Sequence, residues 1–433
     1  MQRSAYADAI SSLSAAMDLL QRLSESPERI QRELLLQLAV APALMVVKGW
    51  AAPELVRAFA RARELCERLG DTPEVFPALW GLWNVHWVRG EFRPAYELAE
   101  QLLGRAQSAH DPTLLVYAHL ALGETSFYMG KLVPARKHFE MAISLYDRER
   151  HRPLIFRYYG QDAGVRCLSL IGECLWHVGY PDQALKRGNE AFILAQGLSH
   201  PHSLAFAELY AGAVHQYRRD ARATQGTEEA LIALSSEHRL TAFLPFATGL
   251  RGWAMAEQGR HEDGIVQIKE SLAGIRATGT EVSRPSYLCM LAEACREAGR
   301  LDDGLNAVTE ALAAADEREE RRDEAEMHRL KGELLLRRDD SNAAEAQHCF
   351  ERAIEIARMQ SAKSLELRAT MSLARLLAKQ GRRDGARTML AEIYNWFTEG
   401  FDTADLKDAK ALLAELSVYE PETRRYALKW HRL

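Results

Sequence analysis

Small and apolar residues recur along this chain at spacings of 4 and 7, which place them on one face of an α-helix. Ala135, Phe139 and Ala142 form one such face, Ala346, Phe350 and Ala353 a second, and Ala9, Leu13 and Ala16 a third. Ala184 and Ala191 keep the outer places of a fourth, with Gly188 between them. A different signal precedes these faces. Gly123 is followed seven residues later by Gly130, Gly172 by Gly179, and Gly252 by Gly259. The later position recurs at 90, 130, 179, 219, 259, 299 and 381, mostly in steps of 40, with Arg219 once replacing Gly. Gly332 marks the earlier position of a unit that lacks the second Gly. Each unit therefore predicts a helix, a left-handed cap at the second position, a tight turn and a second, antiparallel helix. Small residues let the two helices approach, and the large one fills the gap between them.

One such hairpin cannot bury its apolar face alone, whereas stacked neighbours bury it jointly. The expected fold is an all-α solenoid, a right-handed superhelix of about nine to ten hairpins with a period of about 40 residues. It runs over 1–433 as a single array with no internal domain break. The pattern resembles the tetratricopeptide (TPR) repeat family, although the period exceeds the ~34 residues usual there and approaches the HEAT/armadillo range. One interval, from Gly130 to Gly179, is 49 rather than 40. The surplus falls in 147–162, DRERHRPLIFRYYGQD. This extended connection is either functional or an ordered loop packed by Phe156, Tyr158 and Tyr159. Residues 403–433 read as a capping helix and a tail, with Arg424, Arg425, Lys429 and Arg432 beside Tyr426 and Trp430.

Several segments resemble one bacterial family more closely: YYGQDAGVRC (158–167), LWHVGYPDQAL (175–185), EMHRLKGELLL (326–336), and SLELRATMSLARLLAKQGRRDGARTML (364–390), continued by EIYNWFTEGFDTADLKDAKALL (392–413). They are similar to the C-terminal TPR region of signalling proteins in which a class III adenylate/guanylate cyclase domain precedes a STAND-type ATPase module. The resemblance implies a sensor and regulatory segment acting on such output modules, in cis or in trans. Both catalytic modules are missing here. Before the Gly130-Lys131 dipeptide, Thr125 stands where a phosphate-binding loop needs Gly, and Leu132 follows where it needs a hydroxyl. The repeat pattern opens on a second helix, so the chain reads as a piece of a larger protein, a truncated product or a free-standing relative.

Composition narrows the classes. Apolar residues make up 47% and charged residues 27% of 433, the net charge is −5 and the isoelectric point is near 6.3. Such a chain is globular and carries no basic bias toward nucleic acid. The six cysteines are scattered without a C-x-x-C pair, as small buried residues of a reducing compartment are. The longest apolar run, 34–47, contains Gln37 and Pro42 and is shorter than a bilayer span. With no signal-peptide pattern at the start, the expectation is a cytoplasmic protein with no membrane partner.

Candidate chemistry points to binding rather than catalysis. Glu173 and His177 stand at i,i+4 but have no third ligand in view, and His200-Pro201-His202 reads as a surface turn; no metal site, cofactor or catalytic residue is assigned. No G-x-S-x-G occurs. The positions of each first helix expected to face the inside of the superhelix are instead aromatic with interspersed charge: Trp80, Trp87, Tyr117, Glu124, Phe127, Tyr128, Arg166, Glu173, Trp176, His177, Tyr217, Trp253, Glu293 and Arg296. Trp83 is read as core. This lining suits a peptide or protein segment, with aromatics for contact area and Arg and Glu for orientation; the alternative is that it simply closes the stack. The run 316–322, DEREERR, reads as a solvated helix end or linker with local ion pairs. The expected function is a non-catalytic protein- or peptide-binding scaffold and sensor, the regulatory TPR segment of a cyclase/ATPase protein. A free-standing adaptor is the alternative.

Overall fold

The computed structural model describes residues 2–70, 72–154 and 161–417. Within them are 21 α-helices, two short 3-10 turns and no strand. The helices pair as nine antiparallel hairpins. Their first and second helices are Pro27–Lys48 with Pro53–Leu69, Val75–Val88 with Phe92–Ser108, Pro112–Tyr128 with Leu132–Leu145, Ala163–His177 with Pro181–Leu198, and Pro201–Tyr217 with Ala221–His238. Then follow Leu244–Glu257 with His261–Ala277, Arg284–Glu297 with Leu301–Arg318, Glu324–Arg338 with Ala343–Gln360, and Lys363–Lys379 with Arg383–Tyr394. Gln2–Gln21 precedes the first hairpin and Ala404–Ser417 follows the last.

Local chemistry sets the helix ends. Ser26, Asp111, Asp162 and Asp220 accept backbone N–H bonds at N-caps, and Pro27, Pro53, Pro112, Pro181 and Pro201 occupy first turns, where their missing N–H costs nothing. Gly130 closes its helix at φ +74°, and Arg219 is forced into the same left-handed region at φ +61°. The expected helix contacts form. A Cβ on Gly123 would lie 2.8 Å from the Phe139 ring, and one on Gly332 would lie 2.6 Å from the Phe350 ring. Ala135, Phe139, Ala142, Ala346, Phe350 and Ala353 are all buried.

The array coils so tightly that its second half packs against its first. The last carbonyls of a helix have no intrahelical partner. Here hairpins far along the chain supply one. Val88 O accepts from Glu281 N at 3.0 Å, and Tyr128 O accepts from Arg321 N at 2.9 Å, each donor lying 193 residues later. Trp176 O accepts from Ser364 Oγ at 2.5 Å and Tyr217 O from Arg368 at 2.6 Å. Asp182 takes the Gly400 N–H at 2.9 Å, and Glu399 takes those of Asp182 and Gln183. These bonds define a seam between successive superhelical turns.

In the long connection, Asp147 caps the short helix Arg148–His151, and buried His151 stacks on Tyr146. Phe156, Tyr158 and Tyr159 lie outside the described residues, as do all the tail residues singled out from Arg424 to Arg432. The run 316–322 is a solvated helix end only at Asp316 and Glu317, which are exposed and pair locally with Arg321 and Arg318. In the turn that follows, Glu320 is buried against Ser283, and Arg322 is buried against Tyr128 and Glu173 of the earlier superhelical turn.

Candidate binding surface

The inner face of hairpins two to five carries most of the residues singled out in the sequence. The fold brings them together. Trp80 meets Tyr117 edge-on at 5.2 Å, and Trp87 meets Tyr128 edge-on at 5.5 Å. Arg166 lies over Trp87 at 5.2 Å and pairs with Glu124 at 2.8 Å. Trp176 stacks on Tyr217 at 4.7 Å, and His177 meets Phe127 edge-on at 5.4 Å. Trp83, read as core, is buried and donates to Thr125 Oγ1 at 2.9 Å. Trp253, Glu293 and Arg296 belong to the later superhelical turn: Trp253 donates to Glu293 at 2.9 Å, and Arg296 pairs with Glu297 and Glu333.

The face is lined as expected, but in this structure it is not open. Trp80, Trp87, Tyr117, Glu124, Phe127, Tyr128, Arg166, Glu173, Trp176, His177, Tyr217, Trp253 and Arg296 are all buried. Glu293 is half-buried. The seam covers Phe127, Tyr128, Glu173, Trp176, His177 and Tyr217 through contacts that join segments too distant in sequence to leave a local signal, whereas Trp80, Tyr117, Glu124 and Arg166 pack on adjacent hairpins.

Arg322 sits at the centre of the seam. Its guanidinium lies 4.5 Å from the Tyr128 ring and 5.0 Å from that of Phe127. It bonds Glu173 at 3.1 Å, Asp323 at 3.1 Å and Ser286 Oγ at 2.7 Å. Asp323 also faces His177 Nε2 at 3.1 Å. Glu173 and His177, weighed above as two metal ligands, thus turn to different partners. Among the described residues no group of three His, Cys, Asp or Glu side chains is placed to hold a metal.

Burial and charge compete in this region. Burial alone would raise the Asp323 carboxyl, yet Arg322 and His177 hold it well below the usual range. Burial pushes Glu320 up to about 8 against the pull of Arg322. Desolvation would raise Glu293 too, but Arg219, Arg296 and Arg329 hold it down at about 2. A cleft of about 650 Å³ remains open on the inner side of hairpins seven to nine, lined by Arg296, Glu333, Arg337, Ser372, Arg375 and Lys379.

No protein-family model matches the chain. An uncharacterized protein of Rhizobium meliloti (strain 1021) is 26% identical over 389 residues, 88% of this chain and 37% of its own length. The chain thus spans about a third of the curated relative it matches. Among solved structures, a Rap protein complexed with competence and sporulation factor superposes with a TM-score of 0.58 at 12% identity, over 90% of this chain and all of that one. NprR in complex with its cognate peptide NprX gives 0.50 at 8% identity, over 80% and 98% of the two chains. The chain has the fold of a TPR-like α-solenoid. Among the described residues no helix is long and apolar enough to cross a membrane.

Proposed function

We propose that this chain is a peptide- or protein-binding sensor that regulates a nucleotide cyclase or ATPase output module, in cis or in trans, in a reducing cytoplasm. One observation carries the binding part. The inner face is aromatic, yet it is covered through a polar seam of carbonyl bonds and ion pairs, contacts a ligand segment can replace bond for bond. The six described thiols are all free and buried, which fits a reducing compartment. The similar Rap and NprR structures hold a factor and a cognate peptide. The length of the curated relative fits a module of a larger protein. A ligand that binds the open array better than the closed one shifts the array's curvature, and that difference in affinity is what an output module reads.

The test is co-purification from lysate with the chain as bait, for wild type, for Arg322→Ala and for Tyr128→Ala/Trp176→Ala. A polypeptide bearing a cyclase or STAND-type ATPase module is expected with wild type, more of it with Arg322→Ala, and none with the double variant. Equal recovery by all three, or recovery of no such polypeptide, contradicts the reading.

A further inference from the structure

The turn Glu319–Asp323 is held as a bound peptide is held. Two of its amides, Arg321 N and Arg322 N, donate to Tyr128 O at 2.9 and 3.2 Å. The Arg322 side chain enters an aromatic box and reaches the Glu173 carboxylate, while Asp323 reaches His177. Glu320 takes the Ser283 N–H at 3.1 Å.

The neighbouring repeats show that closure does not need this chemistry. Forty residues earlier, Val282 occupies the same register: its amide donates to Val88 O at 3.3 Å, and the side chain is buried. Forty residues later stands Ala362, also buried. The seam therefore closes over Val and Ala on either side. At the middle repeat it buries instead a guanidinium that is 3% exposed, together with two carboxylates. Burying an ion pair stabilises less than apolar packing of the same volume, so stability does not account for the choice. What the pair adds is selectivity: a planar guanidinium is recognised at once by ring faces and by a carboxylate.

We propose that Glu319–Asp323 is an internal ligand of the groove formed by Phe127, Tyr128, Glu173, His177 and Tyr217, and that the external ligand is a peptide segment bearing an arginine followed by an acidic residue, which displaces it. This rests on the binding reading above and specifies its ligand. The closed array is then autoinhibited, and the affinity for the external segment is reduced by the fraction of molecules that are closed.

The experiment uses the full chain and a fluorescent peptide of residues 316–326. Arg322→Ala is expected to bind this peptide at least tenfold more tightly than wild type. The same peptide with Ala at its Arg322 position is expected to lose at least tenfold on the variant. Equal affinity of wild type and variant, or of the two peptides, overturns the proposal. Hydrogen exchange on the wild-type chain gives a second reading that does not depend on the variant folding. Saturating peptide should speed exchange of the Arg321 and Arg322 amides at least tenfold, and unchanged rates overturn the proposal as well. If Arg322→Ala ignores the peptide yet still captures the output polypeptide, the sensor reading stands and only the arginine-bearing ligand falls. If it captures neither, both fall.

Discussion

A methyl group added at Gly332 would sit 2.6 Å from the Phe350 ring inside a packed helix pair, too close for any real contact. Gly332→Ala should therefore cost about 1–3 kcal/mol, read as a lowered melting temperature; an unchanged one contradicts the close approach. The same position logic made Gly123, Gly172 and the Ala–Phe–Ala faces legible in the sequence, because both partners of each contact lie within one hairpin. Trp176 is a different case. Its inward direction followed from the repeat register, but its burial against Tyr217 and beneath Arg368 did not. Truncation to Ala should cost about 3–5 kcal/mol, so its effect on binding must be judged beside the melting temperature. Arg322 was the residue least legible. Within DEREERR it looks solvated, and only its register with Val282 and Ala362, forty residues to either side, gives it away.

At the scale of elements, buried carboxylates make the hairpins sensitive to pH. In hairpin five, burial pushes Glu208 up to about 7 and Glu228 well above its ordinary value, with the charge of Glu208 adding to the second. Glu320, in the turn before hairpin eight, is raised to about 8. A raised carboxyl binds its proton more tightly in the folded state. Its contribution is complete below the ordinary 4.5 and is lost as pH rises through 7–8. His119, His202 and His328 run the other way. Burial lowers each to about 4, so they add stability as pH rises from about 4 to 6.5. From pH 4.5 to 6.5 the two sets oppose each other, and above 6.5 only the carboxyls still act, so the melting temperature should fall from pH 6.5 to 8 and Glu228→Gln should flatten the fall. A melting temperature that climbs between pH 6.5 and 8 contradicts this account. His200-Pro201-His202, read as a surface turn, is the N-cap and first turn of the helix Pro201–Tyr217, whereas the six helix-ending glycines from Gly90 to Gly381 were legible and all have positive φ. These are local rules of backbone chemistry, and local rules survive reading from one sequence.

At the scale of the whole molecule, the solenoid was legible and its closure was not. Stacking of neighbours follows from the 40-residue period, but pitch does not. Pitch is fixed by pairs such as Val88 with Glu281 and Tyr128 with Arg321, which no local pattern links. The sequence therefore placed an aromatic lining on an open concave face, and the fold covers part of that lining, from Phe127 to Tyr217, with its own next turn. The central claim is that this closure is the resting state and that removing Arg322, which leaves Glu173 and Asp323 buried without their counter-charge, loosens it. Small-angle X-ray scattering on wild type and Arg322→Ala tests it most directly. Wild type should scatter as a compact particle, with a radius of gyration near the roughly 22 Å of a close-packed chain of this length, and the variant should be measurably larger at unchanged helix content. A wild-type chain already as extended as the variant contradicts the closed inner face on which the sensor reading depends.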